Sequence, residues 1–149
     1  MKRKIKPVAL ALLFLFVAIQ FYQPARNSNK EQDETMDIAQ SNNIPADVKR
    51  ILHISCYDCH SSNTNYVWYN YIQPARMIVE SHIKRARKDL NFSEWGTYSN
   101  RKKERLLTSI KKQIETKEMP LPSYTLMHEN ARLNEVRAKI LIDWIQSQE

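Results

Sequence analysis

The sequence predicts an all-α domain of about four helices, behind an N-terminal membrane segment and a polar tether. Apolar residues recur at helical spacing in four separate stretches, which is typical of amphipathic helices. The 149 residues include a single glycine, whereas the tight turns of β-hairpins usually require several. Polar stretches that contain proline separate the periodic ones, and proline ends or prevents a regular helix.

Residues 1–22 are predicted to be the membrane segment. Its start is basic, with Lys2, Arg3, Lys4 and Lys6. An apolar run over 7–19 follows, which has the length of a signal-peptide core and is short for a span of about 20 residues. Bulky residues stand where a cleavage site would need small ones, so we favour a retained signal anchor over a cleaved signal peptide. In both cases the rest of the chain is exported.

Residues 23–43 are predicted to be a flexible polar tether, because they contain few large apolar side chains. The folded domain is predicted to occupy 44–149. Within it, the periodic pattern and the helix-start residues predict four helices, over 44–55, 74–90, 100–116 and 134–148. The stretches between them, 61–73, 91–99 and 117–130, are predicted loops.

The positive charge is concentrated at the N-terminus. The net charge is +7, but from Asn27 onward the chain has 18 basic and 16 acidic residues. The excess of basic residues therefore mainly indicates the orientation of the N-terminal segment in the membrane. We expect no nucleic acid partner.

The two cysteines of the chain lie together in Cys56-Tyr57-Asp58-Cys59-His60. This spacing places both thiols on one side of a helical turn, where each can add to one vinyl group of the same porphyrin. The histidine beside the second cysteine can then bind iron. The motif predicts one covalent haem c, attached through Cys56 and Cys59, with His60 as the proximal ligand.

Three other uses of the cysteines are compatible with their type. A thioredoxin-like redox pair would accompany alternating strands and helices, which this sequence does not show. A structural zinc site needs four ligands, and only scattered histidines could complete one. A plain disulfide is also compatible with the spacing. Export favours haem, because c-type attachment takes place on exported chains.

Met119 is the predicted distal ligand. It lies 59 residues after His60, in a loop that Pro120 and Pro122 restrain. A thioether ligand would favour the reduced iron and raise the reduction potential.

The histidines are the alternatives to Met119. His128 lies in the same loop and is the best of them. His53 precedes the motif in the same helix, and His82 lies on an apolar helix face. Ligation by two histidines would lower the reduction potential.

Aromatic residues follow the motif, and two of them, Trp68 and Tyr69, are candidates for the haem pocket. Their rings could cover a porphyrin edge, while ordinary packing in the core explains them equally well.

Seven short motifs span the folded region: 56–61 (CYDCHS), 68–69 (WY), 72–74 (IQP), 80–82 (ESH), 90–95 (LNFSEW), 118–124 (EMPLPSY) and 143–145 (DWI). With these motifs, residues 44–145 resemble the bacterial haem-binding domain family, a cytochrome c-like group. The resemblance implies a helical domain with a single haem. By analogy with cytochromes c, it further implies that the Pro74 carbonyl orients His60 and that Met119 is the distal ligand.

The function that fits best is electron transfer by a membrane-anchored cytochrome on the periplasmic, extracytoplasmic side, with an unidentified redox protein as partner. This reading makes the chain an electron carrier and not an enzyme. A haem peroxidase or a gas or redox sensor is the alternative, and it would need a displaceable sixth ligand. A structural or haem-delivery role is a third possibility.

Overall fold

A computed structural model describes residues 2–29, 31, 33–40 and 44–148. Over these ranges the chain is helical and has no β-strand, which confirms the predicted all-α class. The α-helices are α1 (Lys2–Ile19), α2 (Ala46–Ser55), α3 (Tyr57–His60), α4 (Ala75–Asp89), α5 (Asn100–Glu115), α6 (Pro122–Met127) and α7 (Glu135–Gln146). Short 3₁₀ helices cover Glu34–Met36, Ile38–Gln40, Trp68–Tyr71, Phe92–Thr97 and Glu129–Ala131.

The four predicted helices of the domain are α2, α4, α5 and α7. Side-chain caps define where two of them begin. The Ser99 side chain accepts a hydrogen bond from the backbone N–H of Lys102 at the start of α5. The Asn134 side chain accepts one from Arg137 at the start of α7. Such caps satisfy N–H groups that have no partner within the helix, so these boundaries could be found in the sequence.

All three predicted loops contain helices, and the 3₁₀ helix Trp68–Tyr71 lies in the first. Pro122 was expected to prevent a helix, yet it is the first residue of α6. Proline is well tolerated there, because the first N–H of a helix has no intrahelical partner to lose. The 91–99 stretch includes the Phe92–Thr97 3₁₀ helix, where the Asn91 side chain accepts from the N–H of Ser93. The domain therefore has more helices than the four predicted.

The core lies between α2, α5, α7 and the Phe92–Thr97 helix. Its buried members from these elements are Val48, Ile51, Leu52, Phe92, Trp95, Leu107, Ile114, Leu141, Trp144 and Ile145. Helix α3 lies at the edge of this core and packs against both α2 and α4. The short turn that carries the Cys-x-x-Cys-His motif is therefore held by two longer helices.

The predicted tether is packed against the domain over its described residues, which corrects the expectation of a loose segment. Ile38 is fully buried in the core. The Asn27 side chain is buried and donates to the Ser61 carbonyl at 2.8 Å, and Tyr57 donates to the Asp37 carboxylate. The polar residues of this segment are thus partners for other parts of the domain, and not a solvated spacer.

Helix α1 exposes apolar side chains along its length, from Val8 to Val17. Its C-terminal end contacts the domain through Gln20, whose side chain bonds the backbone of Gln73. Within the described residues, no helix has both the length and the apolar character needed to cross a membrane.

The end of α5 positions the segment that carries Met119. Lys117 has a φ of 58°, in the left-handed region that favours glycine. The N–H groups of Glu118 and Met119 both donate to the Gln113 carbonyl. This turn directs residue 119 back towards the preceding helix.

We expect Lys117→Gly to stabilise the domain by about 0.5–1 kcal/mol, because glycine avoids the strain of the left-handed conformation but adds freedom to the unfolded chain. Chemical denaturation of both proteins would measure the change. Lys117→Ala is the control, since it removes the same charge and keeps the strain. An equal gain from alanine would show that the charge, and not the backbone, is responsible.

Candidate haem site

The Cys56–His60 motif forms a single helical turn. Cys56 closes α2, where its N–H donates to the Leu52 carbonyl, and its own carbonyl accepts from the N–H of His60 at 2.9 Å. Helix α3 spans Tyr57–His60, so both cysteines and the histidine lie within one turn. The thiols of Cys56 and Cys59 are free.

The His60 ring is oriented by the backbone at the end of α4. Its Nδ1 lies 3.1 Å from the Leu90 carbonyl oxygen. A carbonyl can only accept, so Nδ1 carries the proton and Nε2 retains its lone pair. Burial lowers the pKa of His60, although hydrogen bonds to the Leu90 and Ala86 carbonyls oppose this. The ring is therefore neutral at neutral pH, which is the form that binds a metal ion.

Pro74 does not have the role that the family resemblance implied. Its carbonyl accepts from the N–H of Ile78 at 3.2 Å, within the first turn of α4. The carbonyl that orients His60 instead belongs to Leu90. Leu90 directly follows α4, so its carbonyl is not used inside the helix and remains available to a side chain.

Two cavities, of about 210 Å³ and 340 Å³, adjoin the motif. Six residues line both: Ser55, Cys56, His60, Asp89, Met119 and Pro120. Cys59 lines the larger cavity. Apolar side chains contribute much of the smaller one: Leu90, Phe92, Leu106, Ile110, Ile114 and Leu133. The structure thus brings Met119 to the same cavities as His60 and Cys56.

These residues fit a haem. Together the cavities have a size usual for a small-molecule site, and an apolar wall suits a porphyrin face. Ser55 Oγ is buried and has no hydrogen-bond partner among the described residues. A buried hydroxyl usually has a partner, and this one lies at the cavity wall, where a group from outside the polypeptide can reach it. Two thiols, an imidazole and a thioether at one site are also groups that can hold a haem.

The segment that carries Met119 is also joined to the Cys56–His60 turn by a hydrogen bond. Tyr124, in α6, lines the larger cavity. Its hydroxyl donates to Asp58 Oδ2 at 2.8 Å, and Asp58 lies between the two cysteines. The two walls of the larger cavity are therefore linked by a hydrogen bond to a charged group, which is stronger than one between neutral groups.

Comparison with known families agrees with this geometry. The model of the haem-binding domain family matches residues 14–147. The chain belongs to the haem-binding domain family. No curated protein and no solved structure matches the chain. The match extends from within α1 to the end of the chain's last helix, so the haem-binding domain includes the stretch that was predicted to be a tether.

Three other predicted residues lie elsewhere in the haem-binding domain. Trp68 and Tyr69 are not among the described residues that line either cavity, and Trp68 is 70% exposed. His128, the alternative distal ligand, is also outside both. Its Nε2 is bonded to the Tyr69 hydroxyl at 2.6 Å, and its ring stacks on Tyr124. His128 therefore supports the aromatic packing beside the cavity.

Several residues of the larger cavity were missed as site residues from the sequence. Besides Tyr124, helix α4 contributes His82, Arg85, Ala86 and Asp89. Their positions follow the i, i+3, i+4, i+7 pattern of one helix face. That periodicity was the available signal, but it does not say whether the face meets a core or a cofactor.

The thiols of the haem-binding domain are expected to be unreactive while it is folded without haem. Burial, and to a lesser degree Cys59, raises the pKa of Cys56 from 9.0 to about 12. Burial and Asp58 raise that of Cys59 to about 11. Because the thiolate is the nucleophile, alkylation of Cys59 at pH 8 should be roughly a hundredfold slower than in the unfolded chain.

Mass spectrometry after timed iodoacetamide treatment, with and without denaturant, would measure these rates, and single Cys→Ser variants would separate the two thiols. The thiol pKa values are higher in the folded protein than in the unfolded chain, so the unfolded chain loses its thiol protons first as the pH rises above 9. Ionisation of the thiols therefore lowers the stability of the fold above this pH. Equal alkylation rates in folded and unfolded protein would contradict the burial of these groups.

Proposed function

We propose that this haem-binding domain is a c-type cytochrome that transfers single electrons on the extracytoplasmic side of a membrane. The observation that carries the proposal is that Cys56, His60 and Met119 line the same two cavities. A covalent attachment point, a neutral imidazole and a thioether around one site are the groups of a His–Met c-type haem.

Each group has a distinct role in this proposal. Cys56 and Cys59 would retain the cofactor through thioether bonds. His60 would bind iron through Nε2, while the Leu90 carbonyl holds the ring in place. Met119 would supply a thioether ligand from the other segment. When bound, haem supplies a one-electron iron couple, whose potential depends on these ligands and on the apolar wall.

Charge in the larger cavity suits the carboxylates of a haem. Arg85 lines this cavity, and its guanidinium can pair with a propionate through two hydrogen bonds. Asp89 and His82 lie along the same helix face. This face of α4 would therefore fix the orientation of the cofactor within the site.

Electron transfer is favoured over catalysis because two protein side chains face the site. A haem peroxidase or a gas sensor keeps one iron position open or easily displaced, whereas Met119 would occupy that position here. The proposal is therefore of an electron carrier.

The partner is proposed to be an acidic redox protein. The stretch from 76 to 117 has 12 basic and 5 acidic residues. Among the described residues, the ion pair within 4 Å is Lys139–Asp143, so the cations described in α4 and α5 form no close ion pair. Such a surface accelerates encounter with an oppositely charged protein. Helix α1 is proposed to retain the domain at the membrane, since its apolar side chains are exposed.

One preparation tests the haem type and the ligands together. The protein would be produced with c-type maturation and examined by a pyridine haemochrome assay and by spectra of both oxidation states. We expect a two-thioether haem c and the weak red absorption of a methionine–ferric iron bond. We also expect no carbon monoxide binding at neutral pH. Ready binding of carbon monoxide would instead support the peroxidase or sensor function.

A further inference from the structure

The segment that directly follows α1 is fixed to the domain by partly buried hydrogen bonds. Gln73 is almost fully buried, and its N–H donates to Gln20 Oε1 at 2.9 Å. Its side-chain amide donates to the Tyr22 carbonyl. Arg76, also buried, donates to the Pro24 carbonyl. These contacts, all made by residues just after Ile19, hold the end of α1 beside the start of α4.

Exposed apolar side chains surround this junction. We call them the collar: Phe21, Tyr22, Trp68, Tyr71, Ile72, Met77 and Ile78. Two of them, Phe21 and Tyr22, directly follow α1 in the chain, and the others come from the ten residues around Gln73. An exposed apolar group of this kind usually marks an interaction surface.

We infer that the collar lies in the interfacial layer of the lipid bilayer, so that the domain lies directly on the membrane surface. This inference rests on the proposed retention of α1 in the membrane. Tryptophan and tyrosine are the residues enriched at membrane interfaces, where one end of the ring is apolar and the other is hydrated. The collar has three such residues, Tyr22, Trp68 and Tyr71, and its Phe21 and Tyr22 directly follow the exposed apolar side chains of α1 in the chain.

A cation accompanies the collar. The Arg26 guanidinium lies 4.4 Å from the centre of the Tyr71 ring and 5.8 Å from that of Tyr66. Arg26 is exposed, so its charge is available to a lipid phosphate while its stem lies against the rings. An apolar, aromatic surface with a cation at its margin fits an anionic lipid surface better than an acidic soluble protein.

The length of α1 favours the same arrangement. Its uncharged part, from Pro7 to Ile19, is about 20 Å long at 1.5 Å per residue, whereas the hydrocarbon layer is about 30 Å thick. A short apolar helix is accommodated when flanking residues are drawn towards the bilayer. Because the segment that follows α1 is fixed to α4, the collar would be drawn towards the bilayer together with α1.

Methyl NMR of the methionines can test this placement in the reduced holoprotein. The full chain would be reconstituted into nanodiscs of anionic lipid, with and without a nitroxide on the lipid headgroup. Met77 belongs to the collar, while Met127 is similarly exposed at the end of α6 and is the matched control. We expect the nitroxide to attenuate the Met77 signal severalfold more than that of Met127.

Two double variants test whether the attenuation of Met77 depends on the collar. Trp68→Ser with Ile72→Ser removes apolar surface from the collar. Leu126→Ser with Val136→Ser removes exposed apolar surface elsewhere. The first pair should reduce the attenuation of Met77, and the second should leave it unchanged.

The outcomes separate this inference from the proposed function. If the protein co-purifies with the nanodiscs but Met77 and Met127 are equally unaffected, α1 anchors the chain and the collar inference is overturned. If attenuation requires native membranes and is missing in pure lipid, the collar binds a membrane protein and the inference is again overturned. If the protein does not associate with lipid, both the proposed retention of α1 in the membrane and the collar inference are overturned. The haem spectra test the proposed electron transfer independently of this result.

Discussion

Replacing Cys56 and Cys59 with serine is expected to abolish the retention of haem after denaturation. The serine hydroxyls cannot form thioether bonds, so any haem that His60 and Met119 still bind would be released when the chain unfolds. Haem staining of a denaturing gel, together with the mass of the intact protein, would show the loss. Each single variant should retain one thioether bond, with a corresponding change in the haemochrome spectrum.

Tyr57→Phe is the control for this experiment. It alters the same turn and removes a hydrogen bond to Asp37, but it leaves both thiols in place. Covalent haem should therefore persist in this variant. If the double serine variant kept its haem through denaturation, attachment through the motif would be refuted.

Met119→Ala is expected to open the distal side of the iron. The red absorption of the methionine–ferric iron bond should disappear, and the reduced protein should bind carbon monoxide stoichiometrically. The reduction potential should fall, because a thioether favours the reduced iron. Loss of a half-buried methionine should also cost about 2 kcal/mol of stability, at the low end for truncation of a core side chain.

Two variants distinguish ligation from damage to the fold. Met127→Ala removes an exposed methionine and should leave the spectrum unchanged. His128→Ala removes the alternative ligand and should do the same, although it breaks the contact with Tyr69. If the spectrum were unchanged in Met119→Ala but altered in His128→Ala, His128 and not Met119 would be the distal ligand.

The helices of the domain could be predicted because each has a periodic apolar face and a recognisable boundary. In α5, for example, Leu107 and Ile114 are two turns apart and both face the core, and Ser99 caps the first turn. The Cys56–His60 motif could be recognised for a similar reason, since its spacing places the two thiols and the imidazole within a single turn.

Other features depend on contacts between distant residues. The bond between His60 and the Leu90 carbonyl joins positions 30 residues apart, and it depends on where α4 ends relative to α3. Likewise, Asn27 looks like part of a linker because its partner, Ser61, lies 34 residues further along. A single sequence does not show such pairs, so the orientation of His60 and the packing of the tether were predicted incorrectly.

If the domain carries electrons as proposed, the hydrogen bond between Tyr124 and Asp58 would affect the rate of electron exchange. It connects the turn that carries His60 to the segment that carries Met119 through the polypeptide alone. The spacing of these two segments would then change little when a bound iron changes its charge. Small nuclear displacement between oxidation states would mean a low reorganisation energy, so electrons would pass rapidly even with a modest difference in potential.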